Sequence, residues 1–308
     1  MARIVIAEFM DERAVAHLAA VHSVCHDAAL VDDMPRLLRE AATADALVVR
    51  NRTQVRGALL EAMVRCRAVG RLGVGLDNID VEACTARGIE VIPATGANAL
   101  SVAEYVIAAA MLLLRGAYGS TAAVAGGGWP RVALSGGREI AGKTLGLVGF
   151  GSIGQLVAKL GAGLGMRVVA FDPALPPSAA VYAAAGVVPI GLAELVATSD
   201  VVSLHVPSVE ATRGLFDSHR IAAMKRGAIL VNTARGGIVD EPALAAALRS
   251  GHLGGAAVDV FAHEPFAAGS AFEGCPNLLL TPHVAGVTLE ANERVSTLVA
   301  SKLLEALR

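Results

Sequence analysis

Three side chains with complementary chemistry follow three short apolar runs in the second half of the 308-residue sequence: Arg235, Glu264 and His283. An arginine can bind a carboxylate through two parallel hydrogen bonds, and a histidine can exchange a proton near neutral pH. A carboxylate bonded to one ring nitrogen fixes the imidazole tautomer and favours its protonated form. The set predicts acid–base chemistry on a small carboxylic acid, with His283 as acid/base, Glu264 as its partner and Arg235 as substrate anchor.

Each of these residues, taken alone, has an ordinary structural explanation. A histidine after a proline is commonly a loop residue, and a glutamate before a proline commonly marks a turn. Their occurrence at three successive strand ends favours catalysis. Two other histidines compete for the acid role, and we interpret His205 as part of a cofactor site and His263 as incidental.

A glycine-rich segment predicts the cofactor. Gly149, Gly151 and Gly154 follow a strand-like run, open a helical pattern and match G-x-G-x-x-G. The first glycine allows a tight turn, the second admits a pyrophosphate, and the third lets helix and strand pack closely. Asp172 ends the next apolar run, where a carboxylate accepts the ribose hydroxyls, and no arginine follows to bind a 2′-phosphate. The segment predicts NAD rather than NADP. Together with Arg235, Glu264 and His283 it predicts hydride transfer to a 2-oxo acid.

Strand-like and helical patterns alternate along the chain, which predicts parallel sheets with right-handed crossovers. We predict four strands before residue 94 and six after residue 143. The predicted strands lie near residues 3–7, 46–49, 68–72, 89–93, 145–148, 167–172, 201–206, 228–233, 256–261 and 278–281. Ser101 is placed as the N-cap of a long helix, and residues 289–307 form a C-terminal helix.

The predicted fold class is α/β, with two Rossmann- or flavodoxin-like domains that have parallel sheets and an active-site cleft between them. Residues 1–97 and 287–308 are expected to form a discontinuous substrate domain. Residues 98–286 are expected to form the NAD-binding domain.

Composition narrows the function classes. The chain is 54% hydrophobic and 18% charged with a net charge of −2, which argues against a nucleic acid as partner. Apolar runs are too short for a membrane span, and the N-terminus does not resemble a signal peptide. Four cysteines without a C-x-x-C pair indicate reduced thiols, no metal site and a cytoplasmic protein. The low charge and the many Ala, Val and Leu residues indicate an apolar interface and hence an oligomer, and we interpret the apolar segment 102–114 as a buried or interface helix.

Several motifs resemble those of the D-isomer-specific 2-hydroxyacid dehydrogenase family, over essentially the whole chain. They are residues 73–80 (GVGLDNID), Asn98 with 101–104 (SVAE), the glycine motif up to Asp172, 203–207 (SLHVP), 232–237 (NTARGG), 258–261 (VDVF) with Glu264-Pro265, and Pro282-His283. The resemblance implies NAD-dependent interconversion of 2-hydroxy and 2-oxo acids by an Arg-Glu-His set, which falls on Arg235, Glu264 and His283.

The resemblance also implies roles for residues outside that set. Backbone N–H groups of Val74 and Gly75 are expected to hold the substrate carboxylate, and Asp259 is expected near the nicotinamide carboxamide. The long helix after Ser101 is expected in the dimer interface. One departure is Tyr105, where many relatives carry histidine, and we expect it to affect packing and not chemistry.

The predicted contacts form two groups. The cofactor group is Gly149, Gly151, Ser152, Ile153, Gly154, Asp172, Pro173, His205, Pro207, Thr212, Thr233, Ala234, Asp259, Ala285 and Gly286. The substrate group is Arg50, Asn51, Arg52, Val74, Gly75, Arg235 and His283.

The substrate is less well defined by the sequence. Arg50 and Arg52 follow a predicted strand and could bind a second anionic group, although each could equally be a solvated loop residue. Residues 8–11, 50–53 and 286–288 with 292–294 resemble the sulfolactate dehydrogenase branch of the family. 3-Phosphoglycerate, hydroxypyruvate and glyoxylate stay open. Two other classes are an NAD(H)-sensing corepressor on the same fold and an S-adenosylmethionine-binding enzyme; the first does not need both Glu264 and His283.

Overall fold

The computed structural model describes residues 1–308 and divides into two compact units. Unit 1 comprises Met1–Asn98 and Val287–Arg308, and unit 2 comprises Ala99–Gly286. In both units every strand pairing is parallel and helices alternate with strands. The predicted α/β class with two parallel sheets is confirmed.

The elements are numbered in chain order. The strands are β1 (Arg3–Ile6), β2 (Ser23–His26), β3 (Ala46–Val49), β4 (Ala68–Arg71), β5 (Glu90–Pro93), β6 (Thr144–Val148), β7 (Arg167–Phe171), β8 (Val188–Pro189), β9 (Val201–Leu204), β10 (Ile229–Asn232), β11 (Gly255–Val258) and β12 (Leu278–Leu280). The α-helices are α1 (Glu12–Ala19), α2 (Met34–Ala41), α3 (Gly57–Ala62), α4 (Val81–Ala86), α5 (Ala99–Arg115), α6 (Thr121–Ala125), α7 (Ser152–Gly163), α8 (Ala180–Ala185), α9 (Leu192–Thr198), α10 (Ser218–Ala222), α11 (Glu241–Arg249) and α12 (Leu289–Ala306). Short 3₁₀ turns span Leu30–Asp32, Tyr118–Ser120 and Glu210–Thr212.

The strand order reverses once in each sheet. Unit 1 has five strands in the order β2-β1-β3-β4-β5, which reverses between β1 and β3. Unit 2 has seven strands in the order β12-β11-β10-β9-β6-β7-β8, which reverses between β6 and β9. Open parallel sheets bind ligands beyond the carboxyl ends of the strands at such reversals. Each unit therefore has one preferred place for a ligand.

Strands buried on both faces explain the continuous apolar runs of the sequence. All four residues of β3 are buried. Ala46 and Val48 belong to a core with α1 and α12, and Leu47 and Val49 to a second core with α2 and α3. Unit 2 is built the same way, with α5 and α7 on one face of the sheet and α9 to α11 on the other.

The structure corrects the sequence prediction in three places. Two edge strands were not predicted, β2 in unit 1 and β8 in unit 2. β2 is partly exposed and contains Ser23 and His26, and β8 has only two residues, one of them Pro189, so neither produces an apolar run. The placement of Ser101 as an N-cap is wrong: α5 begins at Ala99, and Ser101 is buried in its first turn. Ala99 and Leu100 are strong helix formers and extend the helix.

The apolar helix α5 buries ten of its seventeen residues. No helix in the chain has by itself the length and apolarity of a membrane span. Only the pair Ala99–Arg115 and Tyr118–Ala125, bent by 71°, meets those two criteria together.

Candidate active site

A glycine turn follows β6 and leads into α7. Gly149 has φ +99°, and a Cβ there would press on the His205 carbonyl oxygen at 2.5 Å. A Cβ at Gly154 would overlap the Gly149 carbonyl oxygen, so α7 approaches the turn only because this residue is glycine. A Cβ at Gly151 would meet nothing within 4 Å. The first and third glycines are required by the fold, whereas the second leaves open space beside the backbone.

The first amides of α7 have no side-chain cap. Gly151 is the N-cap of this helix, whereas Asp11 and Thr288 cap α1 and α12 through their side chains. N–H groups of a first helical turn lack intrahelical acceptors and lie at the positive end of the helix dipole. Ser152 and Ile153 begin this turn, and Ser152 is exposed. The open turn and its free amides fit a pyrophosphate.

Asp172 lies directly against the glycine turn. Its Oδ2 accepts the N–H of Phe150 at 2.7 Å, and its Oδ1 accepts the N–H of Ala174 at 2.8 Å. Each carboxylate oxygen keeps a further lone pair, and Asp172 is partly exposed and followed by the exposed Pro173. This position fits a carboxylate that accepts ribose hydroxyls from a dinucleotide held at the turn.

Two buried polar atoms beyond β9 and β10 have no hydrogen-bond partner, Nε2 of His205 and Oγ1 of Thr233. Burial lowers the pKa of His205 to about 4, so its ring is neutral at physiological pH. Unpaired buried polar atoms are costly. A ligand that pairs with them at the carboxyl ends of the central strands would remove that cost, which again fits a bound dinucleotide.

The hydroxyl of Thr212 holds the loop that follows His205. Oγ1 of Thr212 donates to the Pro207 carbonyl at 2.6 Å and accepts the N–H of Val209 at 2.9 Å. The hydroxyl of buried Thr212 therefore shapes this loop. Cofactor contacts by Pro207 and Thr212 stay a prediction.

His283 and Glu264 form a hydrogen-bonded pair in unit 2. His283 Nδ1 and Glu264 Oε2 are 2.8 Å apart, and the side chains are 44% and 36% exposed. Glu264 Oε1 accepts the N–H of Phe261 at 3.0 Å, which fixes the carboxylate beyond β11. Because the carboxylate engages Nδ1, Nε2 of His283 is available for a proton transfer.

Asp259 shapes the loop that carries His283. This carboxylate is 1% exposed; Oδ1 accepts the N–H of Val284 at 2.8 Å and Oδ2 accepts that of Ala285 at 2.9 Å. The Asp259 carbonyl accepts the N–H of His283 at 2.8 Å. His283 has φ +56°, which residues other than glycine rarely adopt. These bonds hold His283 and the predicted cofactor residues Ala285 and Gly286 in one fixed loop.

Arg235 lies in the loop after β10. Asn232 shapes this loop, because its Nδ2 donates to the Arg235 carbonyl and its Oδ1 accepts the N–H of Ala234, both at 3.1 Å. A Cβ at Gly236 would overlap the Phe261 carbonyl oxygen. The loop of half-buried Arg235 therefore packs against the chain segment that leads to Glu264.

A buried carboxylate in unit 1 organises the loop after β3. Glu8 is 5% exposed; its Oε1 accepts the N–H groups of Arg50 at 2.8 Å and Thr53 at 3.0 Å, and its Oε2 accepts that of Arg52 at 3.2 Å. Asn78, after β4, donates from Nδ2 to the carbonyls of Arg50 and Thr53 at 3.1 and 2.7 Å. The loop is thus fixed from both sides at the strand-order reversal of unit 1.

The Arg50 guanidinium has a defined position. Its Nη2 donates to Oδ1 of Asn292 at 2.7 Å, and its Cζ lies 5.6 Å from the Phe9 ring centroid. Burial lowers the pKa of Arg50 and the Glu8 charge raises it, and the guanidinium stays protonated. Arg50 is therefore a fixed, partly desolvated cation at the carboxyl end of β3.

Arg52 differs from Arg50. Its side chain is 58% exposed and forms an ion pair with Asp32, whose charge it balances. Asn51, between the two arginines, is exposed. Of the two arginines predicted to bind a second anion, the geometry favours Arg50.

The loop after β4 contains the predicted carboxylate site. The N–H groups of Val74 and Gly75 donate to no backbone carbonyl. The Arg71 guanidinium covers Gly73, where a Cβ would overlap it, and donates to the Leu72 carbonyl at 3.0 Å. Successive free amides of this kind suit an anion. Binding of the substrate carboxylate here stays a prediction.

Sequence reasoning gave no role to Glu8, Asn78, Asn292 or Thr281. The sequence does contain a signal for Glu8: it is a carboxylate close after the apolar run of β1, and the first strand of an α/β unit commonly lies at the reversal of the strand order. Asn292 gave none, because it meets Arg50 from a distance of 242 residues along the chain.

Comparison with known proteins gives a consistent picture. Residues 107–285 match the family described as "D-isomer specific 2-hydroxyacid dehydrogenase, NAD binding domain". The (S)-sulfolactate dehydrogenase of Chromohalobacter salexigens is 53% identical over 307 residues, which cover 100% of this chain and 99% of that protein. The D-3-phosphoglycerate dehydrogenase of Mycobacterium tuberculosis is 43% identical over 275 residues, 89% of this chain. The chain spans about half the length of that relative, 51%.

Solved structures agree with these matches. The TT0316 protein of Thermus thermophilus superposes with a TM-score of 0.88 at 33% identity. The match covers 99% of this chain and 96% of that one.

Proposed function

Because the chain belongs to the D-isomer specific 2-hydroxyacid dehydrogenase family, it is an NAD-dependent oxidoreductase that interconverts a 2-hydroxy acid and a 2-oxo acid, and we propose that this pair is (S)-sulfolactate and sulfopyruvate. The observation that carries the proposal is the 53% identity to an (S)-sulfolactate dehydrogenase over 99% of that protein. The prediction of an enzyme rather than a corepressor is confirmed by the same relatives.

Unit 2 supplies the acid–base chemistry in this proposal. In the oxidation, the C2 hydroxyl gives its proton to Nε2 of His283. NAD⁺, held at the glycine turn after β6, would supply the acceptor for the hydride that leaves C2. Glu264, 2.8 Å from Nδ1, holds the ring and stabilises the imidazolium that forms. Arg235 binds the C1 carboxylate in this assignment, together with the N–H groups of Val74 and Gly75.

Unit 1 supplies the group that distinguishes substrates. A sulfonate carries one negative charge, whereas a phosphate monoester carries nearly two at neutral pH. Arg50 is a fixed cation, while Asp32 balances the charge of Arg52. One available cation suits a sulfonate on C3 better than a phosphate, and we assign Arg50 to that group.

A substrate screen tests the proposal directly. Initial rates of the purified chain are measured with sulfopyruvate, phosphohydroxypyruvate, hydroxypyruvate and glyoxylate, each with NADH and with NADPH. We expect kcat/KM to be highest for sulfopyruvate with NADH, by about tenfold or more over every other pair. A higher kcat/KM for phosphohydroxypyruvate than for sulfopyruvate would mean that the group on C3 of the substrate is a phosphate and not a sulfonate. Turnover of none of the four would overturn the assignment of substrate altogether.

We propose further that the enzyme is a cytoplasmic homodimer. Large apolar side chains are exposed on α5 and the segment after it, including Met111, Tyr118, Trp129 and Val132, the last at 87%. Exposed apolar patches of this kind mark interfaces. All four cysteines are free thiols, which fits a reducing compartment. Light scattering should give twice the chain mass of 31.3 kDa, and Trp129→Asp should shift it to that of one chain.

A further inference from the structure

A chain of hydrogen bonds runs from α5 to the loop of His283. The hydroxyls of Tyr105 and Thr281 are 2.6 Å apart, and Thr281 Oγ1 donates to Asp259 Oδ1 at 2.6 Å. Asp259 in turn accepts the N–H groups of Val284 and Ala285. The chain therefore links the middle of a buried helix to the residues that follow His283.

The direction of each bond in this chain is fixed. A threonine hydroxyl has one hydrogen, and Thr281 gives it to the Asp259 carboxylate, so the Tyr105 hydroxyl must donate to Thr281. Burial raises the pKa of Tyr105, so the phenol keeps this hydrogen at neutral pH. Thr281 Oγ1 both accepts and donates, and a hydroxyl that accepts one hydrogen bond donates a stronger one. Asp259 Oδ1 is the end of the chain and accepts from both Thr281 and the N–H of Val284.

The loop at the end of this chain is under local strain. His283 holds φ +56°, a conformation that costs a side-chain-bearing residue energy and persists only where the surroundings fix it. The Asp259 carbonyl and carboxylate hold the loop through the N–H groups of residues 283, 284 and 285. Asp259 has its orientation fixed by Thr281, and Thr281 has its own fixed by Tyr105.

We propose that Tyr105 and Thr281 are positioning residues for the catalytic loop: through Asp259 they hold His283 beside the C2 oxygen of the substrate while touching neither substrate nor NAD. The inference rests on the proposed role of His283. It revises the expectation that Tyr105 affects packing alone, because the phenol oxygen and not the ring carries the connection.

Four variants test the inference, Tyr105→Phe, Thr281→Val, Thr281→Ser and the double variant of the first two. We expect Tyr105→Phe to lower kcat about 3- to 10-fold and Thr281→Val about 10- to 100-fold, with KM for the 2-oxo acid within about twofold. The double variant should have the same kcat as Thr281→Val alone, because both substitutions interrupt the same series of hydrogen bonds. Thr281→Ser keeps the hydroxyl and should retain kcat within about threefold. Tyr182→Phe, which removes a buried phenol outside the chain of bonds, is the matched control and should leave kcat unchanged.

A second measurement does not depend on turnover. Hydrogen–deuterium exchange of the amides of residues 283–285 should be about 5- to 10-fold faster in Tyr105→Phe and faster still in Thr281→Val, while ADP-ribose binding stays unchanged. Unchanged exchange in both variants, or losses of kcat that multiply in the double variant, would overturn the inference. If amide exchange is faster in both variants but the wild-type protein reduces no 2-oxo acid, the inferred hydrogen-bond chain stands and the proposed function is overturned.

Discussion

In unit 1 the strand order reverses between β1 and β3, and in unit 2 it reverses between β6 and β9. Backbone N–H groups converge beyond the carboxyl ends of the strands at both places. In unit 1 the chain pairs three of them with its own carboxylate, Glu8. In unit 2 no side chain caps α7, and the backbone beside Gly151 is open. At the same kind of strand-order reversal, a carboxylate of the chain itself therefore occupies the amides in unit 1, whereas the amides of the first turn of α7 in unit 2 stay available for an anion.

This difference separates two kinds of recognition. The open turn of unit 2 presents backbone N–H groups, which a change of side chain does not remove. In unit 1 the amides of residues 50, 52 and 53 pair with Glu8 and build a rigid loop. This loop presents the Arg50 guanidinium, a side chain that a single substitution can exchange. We expect cofactor binding to depend on unit 2 and the choice among substrates to depend on unit 1.

The largest effect is expected at the acid/base residue of unit 2. His283→Asn should lower kcat about 1,000-fold for every 2-oxo acid, because the proton donor is lost whatever the substrate carries at C3. NADH binding, followed by the fluorescence of the nicotinamide, should be unchanged. His263→Asn is the control and should keep wild-type turnover. Retained turnover in His283→Asn would end its assignment as the acid/base.

The next effect tests the open turn. Gly151→Val should raise the Kd for NADH about 100-fold, because the side chain fills the space for the pyrophosphate. Thermal unfolding should be close to wild type, since a Cβ at this position meets no atom within 4 Å. Gly163→Val places the same side chain in open space at the far end of α7 and should bind NADH normally. Equal NADH affinity in both variants would argue against the turn as the phosphate site.

A smaller and substrate-dependent effect is expected in unit 1. Arg50→Ala should lower kcat/KM for sulfopyruvate about 30-fold and that for glyoxylate less than about threefold, because only the former has a second anion. Arg52→Ala, whose charge Asp32 already balances, should change both by less than about threefold. If Arg50→Ala lowers kcat/KM for glyoxylate and for sulfopyruvate by the same factor, this arginine does not determine the choice of substrate.

The smallest effect on cofactor binding is expected from the closed reversal. The two oxygens of Glu8 together accept three N–H groups, and Glu8→Gln replaces one of these oxygens by an NH₂ group that cannot accept. The substitution should lower the free energy of unfolding by about 1–3 kcal/mol. The Kd for NADH should stay within about twofold of wild type. Urea denaturation and NADH titration measure the two quantities. Wild-type stability would show that the amides of unit 1 do not need this carboxylate.

Local patterns in the sequence carried much of the fold. The α/β class and most strands were predictable because a strand buried on both faces leaves a short apolar run that needs no partner to be recognised. The edge strands β2 and β8 were not, because a half-exposed strand is defined by the neighbour with which it pairs. The start of α5 was missed because the N-cap signal at Ser101 is weaker than the helical propensity of the two residues before it.

The candidate site divides along the same line. The sequence by itself determined the glycine turn, the position of Asp172 beside it and the positions of Arg235, Glu264 and His283. Each of these follows a strand that the sequence makes recognisable. Only the tertiary structure decided that Glu8 closes the reversal in unit 1, that Asp32 balances Arg52 while Asn292 holds Arg50, and that Tyr105 reaches Asp259 through Thr281. The physical reason is sequence separation: Arg50 and Asn292 are 242 positions apart in the chain and Tyr105 and Thr281 are 176 positions apart, so no local pattern can specify those bonds.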